Sequence, residues 1–89
     1  MNDSVVIPGH VRSVIDPDGA VVLDLRKGKY YSLNGVGTAI WQQLEAGRTL
    51  AEIAAHLCER YGAPGDEVRR DVADFVDTLQ RRALVDVRS

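Results

Sequence analysis

The chain opens with two stretches rich in β-branched and apolar residues, 11–15 and 20–25, which have the composition of β-strands. Asp16-Pro-Asp-Gly19 lies between them. In such a turn Pro17 fixes φ at a central position and Gly19 tolerates a positive φ. The pattern therefore predicts an antiparallel hairpin, whose second strand directs Val21, Leu23 and Leu25 to one face of a sheet and Val22 and Asp24 to the other.

A third strand is predicted at Tyr30–Leu33, because the polar segment 26–29 has Gly28 available for a left-handed turn position or a bulge. Alternation places Tyr31 and Leu33 on one face, with Tyr30 and Ser32 opposite. A strand with two adjacent tyrosines offers backbone hydrogen-bonding groups and a large amphipathic surface, so we interpret it as a docking surface for an extended peptide. Residues 5–7 are either a short extra strand or a packed arm, and residues 84–87 are expected to return as a short extended segment.

Three amphipathic helices follow. The first should begin after the N-cap residue Asn34 and end near Gly47. The second begins with a capping box, Thr49 to Glu52, and Gly62 should end it. The third should run from about residue 65 to 82. Apolar residues at helical spacing predict the buried faces: Val36, Ile40, Trp41 and Leu44 in the first helix; Leu50, Ile53, Ala54, Leu57, Cys58 and Tyr61 in the second; Val68, Val72, Phe75, Val76 and Leu79 in the third.

These elements predict an α+β, winged-helix-like fold, with a three-stranded antiparallel sheet followed by three helices. A chain of 89 residues supports one small domain, so we expect a single domain over residues 1–89 with a loose arm at residues 1–4. No targeting segment and no apolar run near the roughly 18 residues of a spanning helix is present. Cys58 is the one cysteine, which fits a reducing compartment, and the expected location is the cytoplasm.

Candidate chemistry is sparse. His10 and His56 lie on different elements, and no carboxylate or cysteine stands at ligand spacing from either, so no metal site is predicted. Cys58 lies on an apolar stripe, where small buried thiols are common and inert. Gly35 and Gly37 follow a strand and open a helix, but the motif is too short for a dinucleotide fingerprint and favours close helix–strand packing instead. Trp41 and Tyr61 are expected to be core anchors. The sequence therefore predicts neither an enzyme nor a cofactor.

A winged-helix-like fold raises DNA binding as a competing function. The net charge of the chain is −2. Phosphate-driven binding requires a basic surface. The third helix would be the recognition helix, yet its exposed positions mix both signs: Asp66, Glu67, Asp71, Asp74 and Asp77 with Arg69, Arg70, Arg81 and Arg82. The charge pattern thus argues against nucleic acid and against an acidic membrane surface.

An ordered set of motifs resembles the PqqD-like family of RiPP recognition elements, which bind ribosomally synthesised precursor peptides. The set is Tyr30-Tyr-Ser-Leu-Asn34, Gly37-Thr-Ala-Ile-Trp41, Leu44 and Gly47, Thr49-Leu-Ala-Glu-Ile53, Asp71-Val72, Phe75, Leu79 and Leu84-Val85. It covers about residues 11–85. Within the family, residues 19–31 are most similar to the stand-alone recognition proteins of lasso-peptide pathways. The PqqD of pyrroloquinoline quinone synthesis is the alternative.

The resemblance implies a non-catalytic protein that holds the leader segment of a precursor peptide as an added strand. It implies two partner enzymes, a transglutaminase-like leader peptidase and an asparagine-synthetase-like cyclase. The implied leader-binding residues are Lys29, Tyr30, Tyr31, Ser32 and Leu33 on the edge strand, and Val68, Asp71, Val72, Phe75 and Val76 on the third helix. Among these, Asp71 would pair with a basic or hydroxyl-bearing leader group, whereas Val72, like Leu79, is better explained as a core residue.

Overall fold

The computed structural model describes residues 4–88. The expected loose arm at residues 1–4 lies outside the described residues, except for Ser4, which begins the first strand. Five strands and three helices are present among residues 4–88: β1 (Ser4–Val6), β2 (Val11–Asp16), β3 (Gly19–Asp24), β4 (Lys29–Leu33), α1 (Gly35–Glu45), α2 (Leu50–Tyr61), α3 (Gly65–Arg81) and β5 (Asp86–Arg88).

The predicted three-stranded antiparallel sheet is confirmed, with strand order β2-β3-β4 and β3 in the centre. In the first turn the backbone N–H of Asp18 donates to Oδ1 of Asp16 at 2.9 Å. Gly19 has a φ of 150°, and a Cβ there would overlap the carbonyl oxygen of Leu33. Glycine is therefore required at this position for two reasons, backbone conformation and close approach of the neighbouring strand.

The helices cover one face of this sheet only. Val22 and Asp24 are buried on the covered face, whereas Leu25 is 60% exposed. Val21 and Leu23 are half-buried. The alternation along β3 is thus the predicted one, and packing against α1 selects the Val22 face as the inner one.

The two chain ends pair with each other. β1 and β5 form a separate two-stranded antiparallel sheet, in which Val5 lies opposite Val87. This pairing resolves the choice left open for residues 5–7 in favour of a short strand, to which Val5 and Val6 belong, while Ile7 lies just beyond it. An extended segment after α3 is also confirmed, but its strand is Asp86–Arg88 and so begins two residues later than the predicted segment 84–87.

The predicted helix signals are confirmed. The side chain of Asn34 accepts a hydrogen bond from the backbone N–H of Gly37 at 2.9 Å. Thr49 and Glu52 form the reciprocal capping box, and the N–H of Thr49 lowers the pKa of the Glu52 carboxyl. Gly62 ends α2 in the left-handed conformation. After α3 the same conformation falls on Ala83, with φ of 58°, and the N–H of Leu84 returns to the carbonyl of Leu79.

The core lies between the inner face of the sheet and the three helices. Its largest fully buried side chains include Trp41, Ile53 and Leu84. Trp41 is therefore confirmed as a core anchor. The prediction for Tyr61 is wrong, because that side chain is 48% exposed at the end of α2. The prediction for Val36 is also wrong, because that side chain is 47% exposed in the first turn of α1, where it faces a space that α3 does not fill.

Asp24 anchors the turn that leads into β4. Its side chain is 1% exposed, and Oδ1 accepts hydrogen bonds from the N–H groups of Arg26 at 3.0 Å and Lys27 at 3.1 Å. Burial alone raises the pKa of this carboxyl, but the two N–H donors and the positive charges of His10 and Lys27 outweigh burial. The net pKa is lowered below the ordinary 3.8.

A group whose pKa is lowered by folding stabilises the fold above its unfolded pKa and loses that contribution as the pH falls through the folded one. We therefore expect stability to decline below about pH 4 as Asp24 is protonated. Melting temperatures between pH 6 and pH 3 check this: Asp24→Asn should flatten part of the decline, whereas the exposed control Asp18→Asn should retain it. Parallel curves for wild type and Asp24→Asn would contradict the assignment.

Candidate peptide-binding site

β4 is an edge strand, since it pairs with β3 and with no other strand among residues 4–88. The N–H of Leu25 donates to the carbonyl of His10, and the N–H of Gly28 donates to the carbonyl of Asp24, each at 2.9 Å. The backbone N–H and C=O groups of successive residues in an antiparallel strand point to alternate sides. The backbone groups of Leu25 therefore point towards β2, and those of Asp24 point towards β4.

The strand register then fixes which backbone groups are open. Lys29, Tyr31 and Leu33 lie opposite Asp24, Val22 and Ala20, whose peptide groups point towards β4. The intervening residues of β4 are Tyr30 and Ser32, and their N–H and C=O groups point away from the sheet. An added strand would pair with these four groups.

A groove runs beside this edge. It is a cavity of about 330 Å³ between β4, the first turns of α1 and the face of α3 that points towards β4. We call it the edge groove, and its lining residues are Ser32, Leu33, Asn34, Val36, Gly37, Ile40, Asp71 and Phe75. The lining combines an open backbone with apolar side chains, which suits an extended peptide.

A second cavity of about 230 Å³ continues the edge groove between the three helices. We call it the inner pocket. It shares Val36, Ile40 and Asp71 with the edge groove and adds Leu57, Tyr61, Ala63 and Val68. Asp71 is the one charged residue in either lining, so its carboxylate stands at the junction of two apolar surfaces.

Gly37 determines how closely α3 approaches α1. A Cβ at Gly37 would lie 3.2 Å from Cε1 of Phe75 and 3.3 Å from Oδ1 of Asn34. The close packing predicted at this glycine therefore occurs, but between two helices rather than between helix and strand. The other glycine of the motif, Gly35, has open space around it.

The structure distributes the ten predicted leader-binding residues over three environments. Ser32, Leu33, Asp71 and Phe75 line the edge groove. Val68 lines the inner pocket. Lys29 and Tyr30 are exposed on β4, and Tyr31 is half-buried. Val72 and Val76 are 0% and 2% exposed. These two valines therefore support the wall from the core side, where no ligand can reach them in this conformation.

Some lining residues were not anticipated as site residues. They are Asn34, Val36, Gly37, Ile40, Leu57, Tyr61 and Ala63. The available signal was the length of the apolar stripes on α1 and α2: a domain this small cannot bury all of them. Val36 and Tyr61 are the two exposed residues of these apolar stripes, and both line the inner pocket.

The ion pairs on α3 do not involve Asp71, the charged residue of the groove. Arg69 pairs with Asp66, and Arg81 pairs with Asp77 at 2.9 Å. Within residues 4–88, no basic group lies within 4.0 Å of the Asp71 carboxylate. Over the same residues, no group of three His, Cys, Asp or Glu side chains is arranged to hold a metal ion. No helix of the described chain has the length and apolarity needed to cross a membrane.

The fold and the groove together define a small winged-helix-like domain with one open sheet edge beside an apolar helix wall. The family model for "Coenzyme PQQ synthesis protein D (PqqD)" matches residues 19–85, and the chain belongs to this family. A curated relative, the "PqqA binding protein" of Rhizobium meliloti (strain 1021), is 31% identical over 77 residues, covering 86% of this chain and 79% of the relative.

Solved structures agree with this assignment. The chain is similar to TbiB1 in complex with the TbiA(beta) leader peptide, with 34% identity, a TM-score of 0.88, and coverage of 91% of this chain and 94% of TbiB1. It is also similar to a lasso peptide synthetase B1 complexed with its leader peptide, with 27% identity, a TM-score of 0.84, and coverage of 91% and 95%. The PqqD truncation of Methylobacterium extorquens PqqCD shares the fold at 19% identity, with a TM-score of 0.76 and coverage of 93% and 88%. The resemblance to PqqD-like recognition elements is thus confirmed.

Amide hydrogen exchange tests the open edge directly. The N–H groups of Tyr30 and Ser32 should exchange rapidly, whereas those of Tyr31 and Leu33 should be protected by their bonds to β3. NMR exchange rates on the free protein provide the measurement. Equal protection along all four residues would show that the edge is covered.

Proposed function

We propose that this protein binds the leader segment of a ribosomally synthesised precursor peptide as an additional strand on β4. The observation that carries the proposal is the open edge: the outward backbone groups of Tyr30 and Ser32 lie next to an apolar groove. Support comes from two similar proteins, TbiB1 and a lasso peptide synthetase B1, whose structures were solved with leader peptides bound.

In this arrangement backbone pairing supplies affinity with little dependence on sequence, and the groove selects side chains. Ser32 and Leu33 belong to the edge strand and also line the edge groove. Phe75 provides an apolar wall of the groove, and Asp71 lies at its rim. Val72 and Val76 hold α3 in place from below. The domain is too small for a large interface, so we expect roughly micromolar affinity or tighter.

We further propose that the protein is not an enzyme and that it delivers the leader to a leader peptidase and a cyclase of lasso-peptide biosynthesis in the cytoplasm. The alternative within the family is a peptide chaperone of pyrroloquinoline quinone synthesis, which the 31% identity to a PqqA binding protein favours. The lasso assignment is favoured by the higher identity to TbiB1 and by the close agreement of the two folds. The mixed charges of α3 disfavour a DNA-binding regulator.

Proline at position 32 tests strand addition. Ser32→Pro removes one outward N–H and no bond to β3, so binding should weaken by at least roughly tenfold while the fold persists. Calorimetry with the TbiA(beta) leader peptide, and selection of yeast-displayed random peptides, provide the measurement.

The matched control is Ser13→Pro. Ser13 occupies the corresponding outward position on the opposite edge of the sheet, in β2, where its hydroxyl donates to Glu45 at 3.0 Å. This variant removes an outward N–H from the wrong edge and should bind as the wild type does. Equal binding by all three proteins would refute strand addition at β4. Failure of the wild type to bind the leader or any displayed peptide would refute the function itself.

Cys58 tests the absence of catalysis. Its thiol is half-buried on α2, with Sγ close to Gly65, and it packs at the margin of the core. Cys58→Ala should therefore cost under about 2 kcal/mol of stability and leave product formation intact when the partner enzymes are supplied. Loss of product with binding and folding retained would show that the thiol reacts.

A further inference from the structure

We propose that two charged side chains along one side of β4, Asp71 in the edge groove and Arg82 over Tyr31, fix the direction and the charge order of the bound strand. The inference rests on the proposed function, because it concerns the same edge. It assigns a specificity role to Arg82, which the comparison of motifs did not single out. The predicted ligand is an extended peptide with a basic residue on the N-terminal side of an acidic one.

Arg82 is placed over the middle of β4 by an aromatic contact. Its guanidinium carbon lies 4.7 Å from the ring centroid of Tyr31. A guanidinium that stacks on an aromatic face keeps its edge N–H groups available for a carboxylate. Within residues 4–88, no carboxylate lies within 4.0 Å of this side chain. Arg82 therefore presents a fixed and unpaired positive charge.

The groove-facing side of α3 has a regular order. Asp71, Phe75 and Thr78 lie on one face of the helix, and the C-cap residue Arg82 continues it, since the four residues are spaced by four, three and four positions. Asp71 and Phe75 line the edge groove beside Ser32 and Leu33. Since Asp71 lies beside Leu33 and Arg82 lies over Tyr31, the acid is nearer the Leu33 end of β4 and the base is nearer the Lys29 end.

Neighbouring charges strengthen this difference between the two ends. Lys29 shares the inner face of β4 with Tyr31 and is exposed, so it adds positive charge beyond Arg82. Glu67 and Asp74 are exposed on the half of α3 that contains Asp71, and their negative charges exceed the single positive charge of the exposed Arg70 there. Arg81 is paired with Asp77 and contributes less. The groove is thus electrically polar along the direction of β4.

The polarity of the groove selects one direction of the peptide. β4 belongs to an antiparallel sheet, and antiparallel pairing is the more stable geometry for an added strand. Such a strand has its N-terminal part at the Leu33 end, next to Asp71, and its C-terminal part next to Arg82. A basic residue placed first and an acidic residue placed later would both meet opposite charges.

Helix and strand geometry gives the spacing. Arg82, the C-cap residue of α3, follows Asp71 by eleven positions, or about 16 Å along the helix. A strand covers about 3.4 Å per residue, so the two complementary charges should lie roughly four to six positions apart. An even number of positions is expected, because groove-facing side chains alternate with outward ones.

The test selects yeast-displayed random peptides of fifteen residues on the full-length wild-type protein and on the double variant Asp71→Arg/Arg82→Glu. The wild type should enrich Lys or Arg followed four to six positions later by Asp or Glu, and the double variant should enrich the opposite order. A selected peptide resynthesised with its two charges exchanged should bind the wild type roughly tenfold more weakly, and this difference should shrink in high salt.

Two controls separate the groove from long-range charge effects. Asp77→Arg/Arg70→Glu reverses charges on exposed positions of α3 away from this face and should select as the wild type does. Arg82→Lys keeps the charge and should keep the order, which distinguishes charge from the loss of the stack on Tyr31. No charge order in the wild type, the reverse order, or an order unchanged in the double variant would overturn the inference while leaving peptide binding intact. Enrichment of no peptide would overturn the proposed function.

Discussion

The immediate succession of β4 and α1 is the constraint on which the groove depends. One residue, Asn34, separates the strand from the helix, and its side chain accepts the N–H of Gly37 at 2.9 Å. This cap fixes the direction in which α1 leaves the sheet edge. Because α1 begins where β4 ends, the unpaired backbone of β4 and the apolar side chains of α1 cannot move apart without breaking the Asn34 cap. The part of the site formed by β4 and α1 is therefore fixed by chain connectivity, whereas α3 completes it through packing.

The same arrangement explains why a small domain exposes apolar side chains. Val36 and Tyr61 would add to the core if α3 covered them, yet both line the inner pocket and remain about half exposed. Exposed apolar surface and an unpaired strand edge both promote association of protein chains. Lys29 and the neighbouring turn residue Lys27 place charges at this edge, which discourages pairing with another copy of the sheet. The domain thus retains a surface that a peptide can use, with charges that limit self-pairing.

Local signals in the sequence predicted most of the fold. The Asp16 turn, the Asn34 and Thr49 caps and the Gly62 stop act over a few residues, so their chemistry is visible in the sequence. Contacts between different helices and strands were harder to predict from the sequence. The close partner of Gly37 is Phe75, from a helix much later in the chain, and the burial of Val72 but not Val36 depends on how the helices cross. Periodicity identifies a stripe, but tertiary packing decides which end of it opens into a groove.

The two faces of α3 separate stability from recognition. Val68, Val72, Val76 and Leu79 bury one face, while Asp71, Thr78 and Arg82 are exposed on the other. Exposed charges contribute little to folding, so substitutions at these positions change the groove at small cost to the core. Phe75 is the exception, because its ring also contacts Gly37 and sets the distance between α3 and α1. A larger residue at either position would shift α3 against the edge strand and change the width of the groove. Charge selectivity can therefore vary among such domains more freely than groove width, which is tied to the packing of the helices themselves.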